Sequence, residues 1–184
     1  MSAVFRFDDT NMSLQAIASF AFQRRRYVAV EITPAAQEKV KASHVKFLDL
    51  LERRLPIYGV TTGFGDSGSR VIDPGQSEEL QKNLVSYLLC GTGPELGPVV
   101  SRAVLAMRLK SLSRGYSGVS LELIERMRLF MERDWIPVIP REGSLGASGD
   151  LIPLAYLAQV LSGEGQIYVE GEVREVAPLL KVER

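Results

Sequence analysis

Residues 143 to 150 read Gly-Ser-Leu-Gly-Ala-Ser-Gly-Asp, and the triplet Ala147-Ser148-Gly149 within them can turn its own backbone into an electrophile. If the amide nitrogen of Gly149 attacks the carbonyl carbon of Ala147 and two waters leave, the three residues close into a five-membered methylidene-imidazolone ring. Ser148 loses its hydroxyl in that reaction and becomes an exocyclic methylene. Glycine at 149 lets the nitrogen reach back without a Cβ in the way, and Ala147 is small enough to permit the approach. Gly146 is expected to supply the strained backbone leading in.

A second constellation is the loop Tyr58-Gly-Val-Thr-Thr-Gly-Phe-Gly65. Its three glycines indicate tight backbone geometry, and Tyr58 at its head presents an ionisable phenol. A phenolate is a strong enough base to take a weakly acidic proton from carbon. The other readings are a phosphate-gripping loop and a plain turn. No Gly-Lys-Ser/Thr follows, so the loop fits neither phosphate fingerprint.

The elements that must position these two segments are mostly helical. Thr33-Pro34 fits an N-cap with proline at the first helical position, and Val40, His44, Phe47, Leu48, Leu51 and Leu55 follow at spacings of three and four. That helix is expected to close near Pro56. A second helix starts after Asp73-Pro74, carries Leu80, Leu84, Tyr87 and Leu88 on one stripe, and stops at Gly91. A third runs from about Pro98 to Gly115, where glycine suits a left-handed cap. Ser120 caps a fourth, which ends before Pro137. Asp150 or a neighbour caps a fifth through Leu151, Leu154, Ala155, Ala158 and Leu161, with Pro153 in its first turn. The positive end of that helix would face the Ala-Ser-Gly triplet. Beyond Gly163, the alternation in residues 166–169 and 172–175 around Glu170-Gly171 predicts a short β-hairpin.

Composition limits the alternatives. With 184 residues, 46% hydrophobic and 24% charged, the chain has the makeup of one soluble globular domain. Lys+Arg and Asp+Glu both number 22, so nothing points to nucleic acid as a partner. The longest apolar stretches, such as Leu84 to Cys90, fall far short of a bilayer span, and the N-terminus is acidic and polar around Asp8 and Asp9. No membrane segment or secretory signal is expected. One cysteine, Cys90, makes no internal disulfide, and one histidine with one cysteine is too few for a zinc site. A cytoplasmic setting is expected.

Taken together, the Tyr58–Gly65 and Gly143–Asp150 motifs resemble the histidine/phenylalanine/tyrosine ammonia-lyase family, including its aminomutase branch. The spacing between them fits, as do Arg114-Gly-Tyr-Ser-Gly118 and Pro137-Val-Ile-Pro140, so the resemblance covers essentially the whole chain. It implies a mainly α fold, the N-terminal part of the lyase architecture, with residues 1–184 as the domain carrying both motifs. It also implies that Ala147, Ser148 and Gly149 form the methylidene-imidazolone cofactor (MIO) and that Tyr58 removes the substrate's β-proton. The ring captures the amino group, leaving an α,β-unsaturated acid and ammonia, and no metal takes part.

In this family a residue pair on the second helix governs substrate choice, and the match places Tyr87 and Leu88 there, with Gly65 also at the substrate. Histidine lyases resemble Ser-His at the pair, tyrosine lyases His-Leu and phenylalanine lyases Phe-Leu. The lone His44 lies on another helix. An apolar Leu88 beside an aromatic Tyr87 favours a phenyl-type ring, such as phenylalanine or tyrosine. Lys110 departs from the asparagine common at its position.

Family enzymes are much longer than this chain and form homotetramers whose sites draw on several subunits. The resemblance therefore implies an incomplete lyase, inactive alone and lacking the helical bundle, arising as an engineered truncation, a proteolytic product or a short gene product. It stops at Leu179-Leu-Lys-Val-Glu-Arg184. The ring closes only when the surrounding fold compresses the triplet, and the face of the helix after Asp150 is expected to be exposed. Three alternatives stay open. One is an aromatic 2,3-aminomutase, which uses the same ring and base. Another is a non-catalytic helical interaction module. The third makes Ser148 a hydrolase nucleophile, although the Gly-x-Ser-x-Gly spacing is missing. Arg102, Arg108 and Arg114 are expected to be solvated or ion-paired rather than a carboxylate-binding stripe.

Overall fold

The computed structural model describes residues 3–7, 12–24 and 27–182. Asp8, Asp9, Glu183 and Arg184 lie outside the described residues. The chain opens with a βαβ unit that the hydrophobic periodicity does not predict: β1 (Ala3–Phe7), α1 (Leu14–Phe22) and β2 (Tyr27–Ile32). The two strands pair in parallel, as their crossover helix allows. Ser13 caps α1 by accepting the Ala16 N–H. Phe5 and Phe7 point inward from alternate positions of β1, and the Phe5 ring stacks on fully buried Phe20 of α1 at 4.3 Å. Each such aromatic is worth roughly 1.5–3 kcal/mol in burial.

α2 (Pro34–Glu52) starts as its cap predicts, with Thr33 Oγ1 accepting the Ala36 N–H at 3.4 Å. Its stripe is largely uncovered. Val40 is buried, whereas His44, Phe47, Leu51 and Leu55 are half-buried and Leu48 is exposed. The second half of α2 instead carries the loop after Arg114. Ser43 Oγ accepts the Gly118 N–H at 3.0 Å and His44 Nδ1 meets the Gly118 carbonyl at 2.8 Å. A Cβ on Gly115 would stand 2.6 Å from the Lys39 carbonyl, at a φ of +74°. That close approach explains glycine in the Arg114–Gly118 motif.

The centre of the fold is α4 (Gly97–Ser113), packed against α1 and α5 (Leu121–Arg133), with α6 (Leu151–Ser162) meeting α5. Leu105, Leu109 and Leu112 of α4 meet Ile124, Met127 and Phe130 of α5 in the core. Ser120 caps α5 through the Leu123 N–H, as expected. Arg24 closes its far end, donating to the Met131 and Glu132 carbonyls. A cation there complements the helix dipole. Burial holds the Arg24 pKa below its ordinary value, opposed by the nearby Asp134.

The predicted hairpin is present as β6 (Gln166–Val169) and β7 (Glu172–Glu175), turning through Glu170 and Gly171 at φ of +53° and +87°. β4 (Ile136–Pro137) extends it to three strands, and α7 (Val176–Val182) follows. A further two-stranded sheet joins β3 (Thr92–Glu95) to β5 (Pro140–Glu142), just before the triplet. α6 buries Ala155, Leu157, Val160 and Leu161, while of its expected apolar stripe Leu151 is exposed and Leu154 and Ala158 are half-buried. No helix among the described residues is long and apolar enough to cross a membrane.

Candidate active site

The triplet lies in an exposed loop, and Gly146–Ser148 form one 3₁₀ turn. The Gly149 N–H donates to the Gly146 carbonyl at 3.1 Å, and Ser148 Oγ donates to the Leu145 carbonyl at 2.8 Å. Both groups that ring closure consumes are therefore engaged within the loop, and closure must open these two bonds. The strained positions are not where the sequence places them. Gly146 has no positive φ, whereas Gly143 stands at +123°, Gly149 at +89° and Asp150 at +58°. The strain thus falls on both sides of the turn. A Cβ at Gly149 would meet nothing within 4 Å, so backbone conformation rather than space requires glycine there.

Asp150 does not cap α6 as expected. It adopts a left-handed conformation, and no N–H of the helix reaches its side chain. Its carboxylate accepts the Ser144 hydroxyl instead, while its own N–H donates to the Leu145 carbonyl at 3.2 Å. These contacts clasp residues 144 to 150 into a closed loop around the triplet. α6 begins at the next residue, so its N-terminus adjoins Gly149 as the sequence predicts.

Tyr58 is 67% exposed, and its ring is located by backbone rather than by burial. The Gly65 N–H donates to Tyr58 Oη at 3.0 Å, directing a donor at the atom where phenolate charge would develop. Phe64 meets the ring edge-on at 6.5 Å. A Cβ on Gly68 would come within 3.0 Å of Tyr58 Cε2, so this glycine makes room for the ring. Thr61 and Thr62 anchor the loop from inside: both are buried, and their hydroxyls accept the Ile57 and Gly59 N–H groups.

α3 (Ser77–Leu88) joins the two segments. At its start, Ser77 Oγ donates to the Val60 carbonyl at 2.8 Å and Gln81 Nε2 donates to the Gly59 carbonyl. Just past its end, Gly91 packs so closely that a Cβ there would stand 3.0 Å from Pro140 and 3.2 Å from Tyr156 of α6. Tyr87 is 77% exposed and Leu88 half-buried, and α3 buries none of its residues fully. Ser77, Gln81, Gly68 and Ser144 were not legible as site residues, since their roles depend on which loop each element meets.

A shallow, mainly apolar groove of about 520 Å³ borders the triplet loop at Ser144, Gly149 and Asp150, floored by Val100, Val104 and Met107 of α4. Tyr58, Tyr87 and Leu88 do not line it. Of the three α4 arginines, Arg102 pairs with Asp134 and Arg114 lies over the Tyr116 ring. Arg108 borders the groove half-buried, and burial pushes its pKa down. No group of three or more His, Cys, Asp or Glu among the described residues is placed to hold a metal ion.

A family model described as aromatic amino acid lyase matches residues 12–184. Histidine ammonia-lyase of Staphylococcus aureus is 38% identical over 174 residues, covering 95% of this chain and 34% of that protein. The solved structure of tyrosine aminomutase from Streptomyces globisporus is similar with a TM-score of 0.89 at 34% identity, covering 99% of this chain and 33% of that one. Phenylalanine aminomutase of Pantoea agglomerans aligns with a TM-score of 0.88 at 28% identity, covering 98% and 34%. The chain spans about a third of the length of the curated relatives it matches.

Proposed function

Because this chain belongs to the aromatic amino acid lyase family, we propose that it supplies the electrophile and the base of a carbon–nitrogen lyase acting on an aromatic L-amino acid. The observation that carries the proposal is the bridge made by α3, tied to the Tyr58 loop at one end and packed through Gly91 near the triplet at the other.

In this reading residues 1–184 act as one domain, and Ala147, Ser148 and Gly149 are the precursor of MIO. The fit rests on the tight turn, the positive φ of Gly149 and the open space around it. Once formed, the ring supplies an electrophilic methylene for the substrate's amino group. Tyr58 Oη takes the β-proton, with the Gly65 N–H holding the phenol in place. Loss of ammonia leaves the α,β-unsaturated acid. The two hydrogen bonds that occupy Ser148 and Gly149 support the view that closure needs compression from outside this chain, and that residues 1–184 alone are inactive. We take the working assembly to be a cytoplasmic homo-oligomer, a tetramer in the full-length enzyme.

Leu88 with Tyr87 supports a phenyl-type ring: no imidazole is available at the pair to recognise a histidine side chain, and the Tyr87 hydroxyl is able to donate to a ring substituent. Gly65 completes the set at the substrate. An aminomutase is the second reading, favoured by the likeness to tyrosine aminomutase. Such an enzyme retains the ammonia and re-adds it at the β-carbon, a choice set by product residence.

Product analysis with phenylalanine, tyrosine and histidine side by side, on catalytically competent protein, tests the proposal. An aryl acrylic acid with free ammonia from phenylalanine or tyrosine is expected. A β-amino acid would move the assignment to the mutase, and turnover of histidine alone would overturn the phenyl-type ring.

A further inference from the structure

We propose that Gln81 is a positioning residue for Tyr58, and that α3 thereby sets the base against the substrate's ring. The inference rests on the reading of Tyr58 as the base.

Tyr58 protrudes into solvent, so its direction depends on the two peptides beside it. The peptide on its N-terminal side is held from within the loop: the Ile57 carbonyl accepts the Val60 N–H at 3.0 Å and the Thr61 N–H at 2.9 Å. On the other side lies Gly59 at a φ of +71°. Glycine crosses between left- and right-handed conformations at little cost, so the residue itself does not hold this geometry. Its N–H is held by Thr62 Oγ1, and its carbonyl by the Gln81 side-chain amide. Gln81 belongs to α3, and so fixes the Gly59–Val60 peptide, and with it the conformation of Gly59, from outside the loop.

Gln81 and Leu88 are seven residues apart, which places them on one face of the helix two turns from each other. The helix that holds the Gly59 carbonyl thus also presents one of the two residues proposed to meet the substrate's ring. The Gln81–Gly59 hydrogen bond ties the loop that carries the base to the helix that carries Leu88. The Ser77–Val60 bond, one turn earlier, supports the same docking.

The Gly65 amide donates to Tyr58 Oη, so its hydrogen exchange, followed by NMR on the whole chain, reports whether the phenol keeps its place. Gln81→Met removes the donor at similar volume and is expected to speed Gly65 exchange roughly tenfold, as loss of one hydrogen bond implies. Amides of α4 should stay as protected as before. Gln81→Glu supplies a sharper signature, since a protonated carboxyl donates to the Gly59 carbonyl and a carboxylate does not. Relative to the unsubstituted chain, Gly65 should be protected at acid pH and lose protection as the new carboxyl ionises. Unchanged Gly65 exchange in Gln81→Met, or a Gln81→Glu protein that shows no such pH dependence, overturns the proposal. The base assignment fails separately, if Tyr58→Phe leaves ammonia release intact in competent protein.

Discussion

Gly143 lies against Gly91: a Cβ added to Gly143 would stand 3.4 Å from the Gly91 Cα and 3.1 Å from Ile152 Cδ1. This approach brings the end of α3 to the start of the triplet loop. It accounts for two glycines that are far apart in sequence and carry no chemistry of their own. Gly143 also holds a φ of +123°. Gly143→Ala should therefore destabilise the chain by about 1–3 kcal/mol through backbone strain, with further cost from the Ile152 contact. Urea unfolding measures this directly, and an unchanged midpoint would show that the approach is not constrained.

Arg102 is 8% exposed and grips Asp134 with both forks, Nε to Oδ1 at 2.7 Å and Nη2 to Oδ2 at 2.9 Å, while Nη1 donates to the Ala21 carbonyl. The pair ties α4 to the end of α5 and to α1. Asp134→Ala leaves a buried guanidinium without its carboxylate and should cost about 3 kcal/mol, the low end for such a break because Asp134 is partly exposed. The double variant Arg102→Met with Asp134→Ala should recover part of that loss. A double variant less stable than Asp134→Ala would contradict this account.

Tyr168 is buried and donates its hydroxyl to Glu95; burial first, then the carboxylate, pushes its pKa from 10 up to about 12. The folded state thus holds the phenolic proton more tightly than the unfolded chain. The stability this contributes is complete below pH 10 and is lost as pH rises through about 12. Thermal unfolding across that window should fall more steeply for the unsubstituted chain than for Tyr168→Phe. Parallel curves would refute the linkage.

How much of this was legible in the sequence depended on whether the signal was local. α4 and α5 follow from Gly115 and Ser120, since each cap is decided within a few residues. The hairpin follows from Glu170-Gly171 for the same reason. The opening βαβ unit was not legible, because Phe5 finds Phe20 and Val30 only after a crossover. The apolar stripe of α2 reads as core, yet only Val40 of it is fully buried; its later turns hold a loop through Ser43 and His44. At the candidate site, the triplet and Tyr58 stand out in the sequence by type and spacing. The departure of Asp150 from helix capping does not, because Ser144, six residues earlier, claims its carboxylate. Gln81 reads as an ordinary exposed helix residue until the Gly59 carbonyl is seen beside it.

The central claim is that Ala147, Ser148 and Gly149 become the electrophile. Peptide mass analysis of a preparation that releases ammonia from an aromatic amino acid tests it most directly. The account predicts that the peptide containing Ser148 is lighter by two water molecules, and that Ser148→Ala abolishes ammonia release. An active preparation in which that peptide keeps its full mass would contradict it.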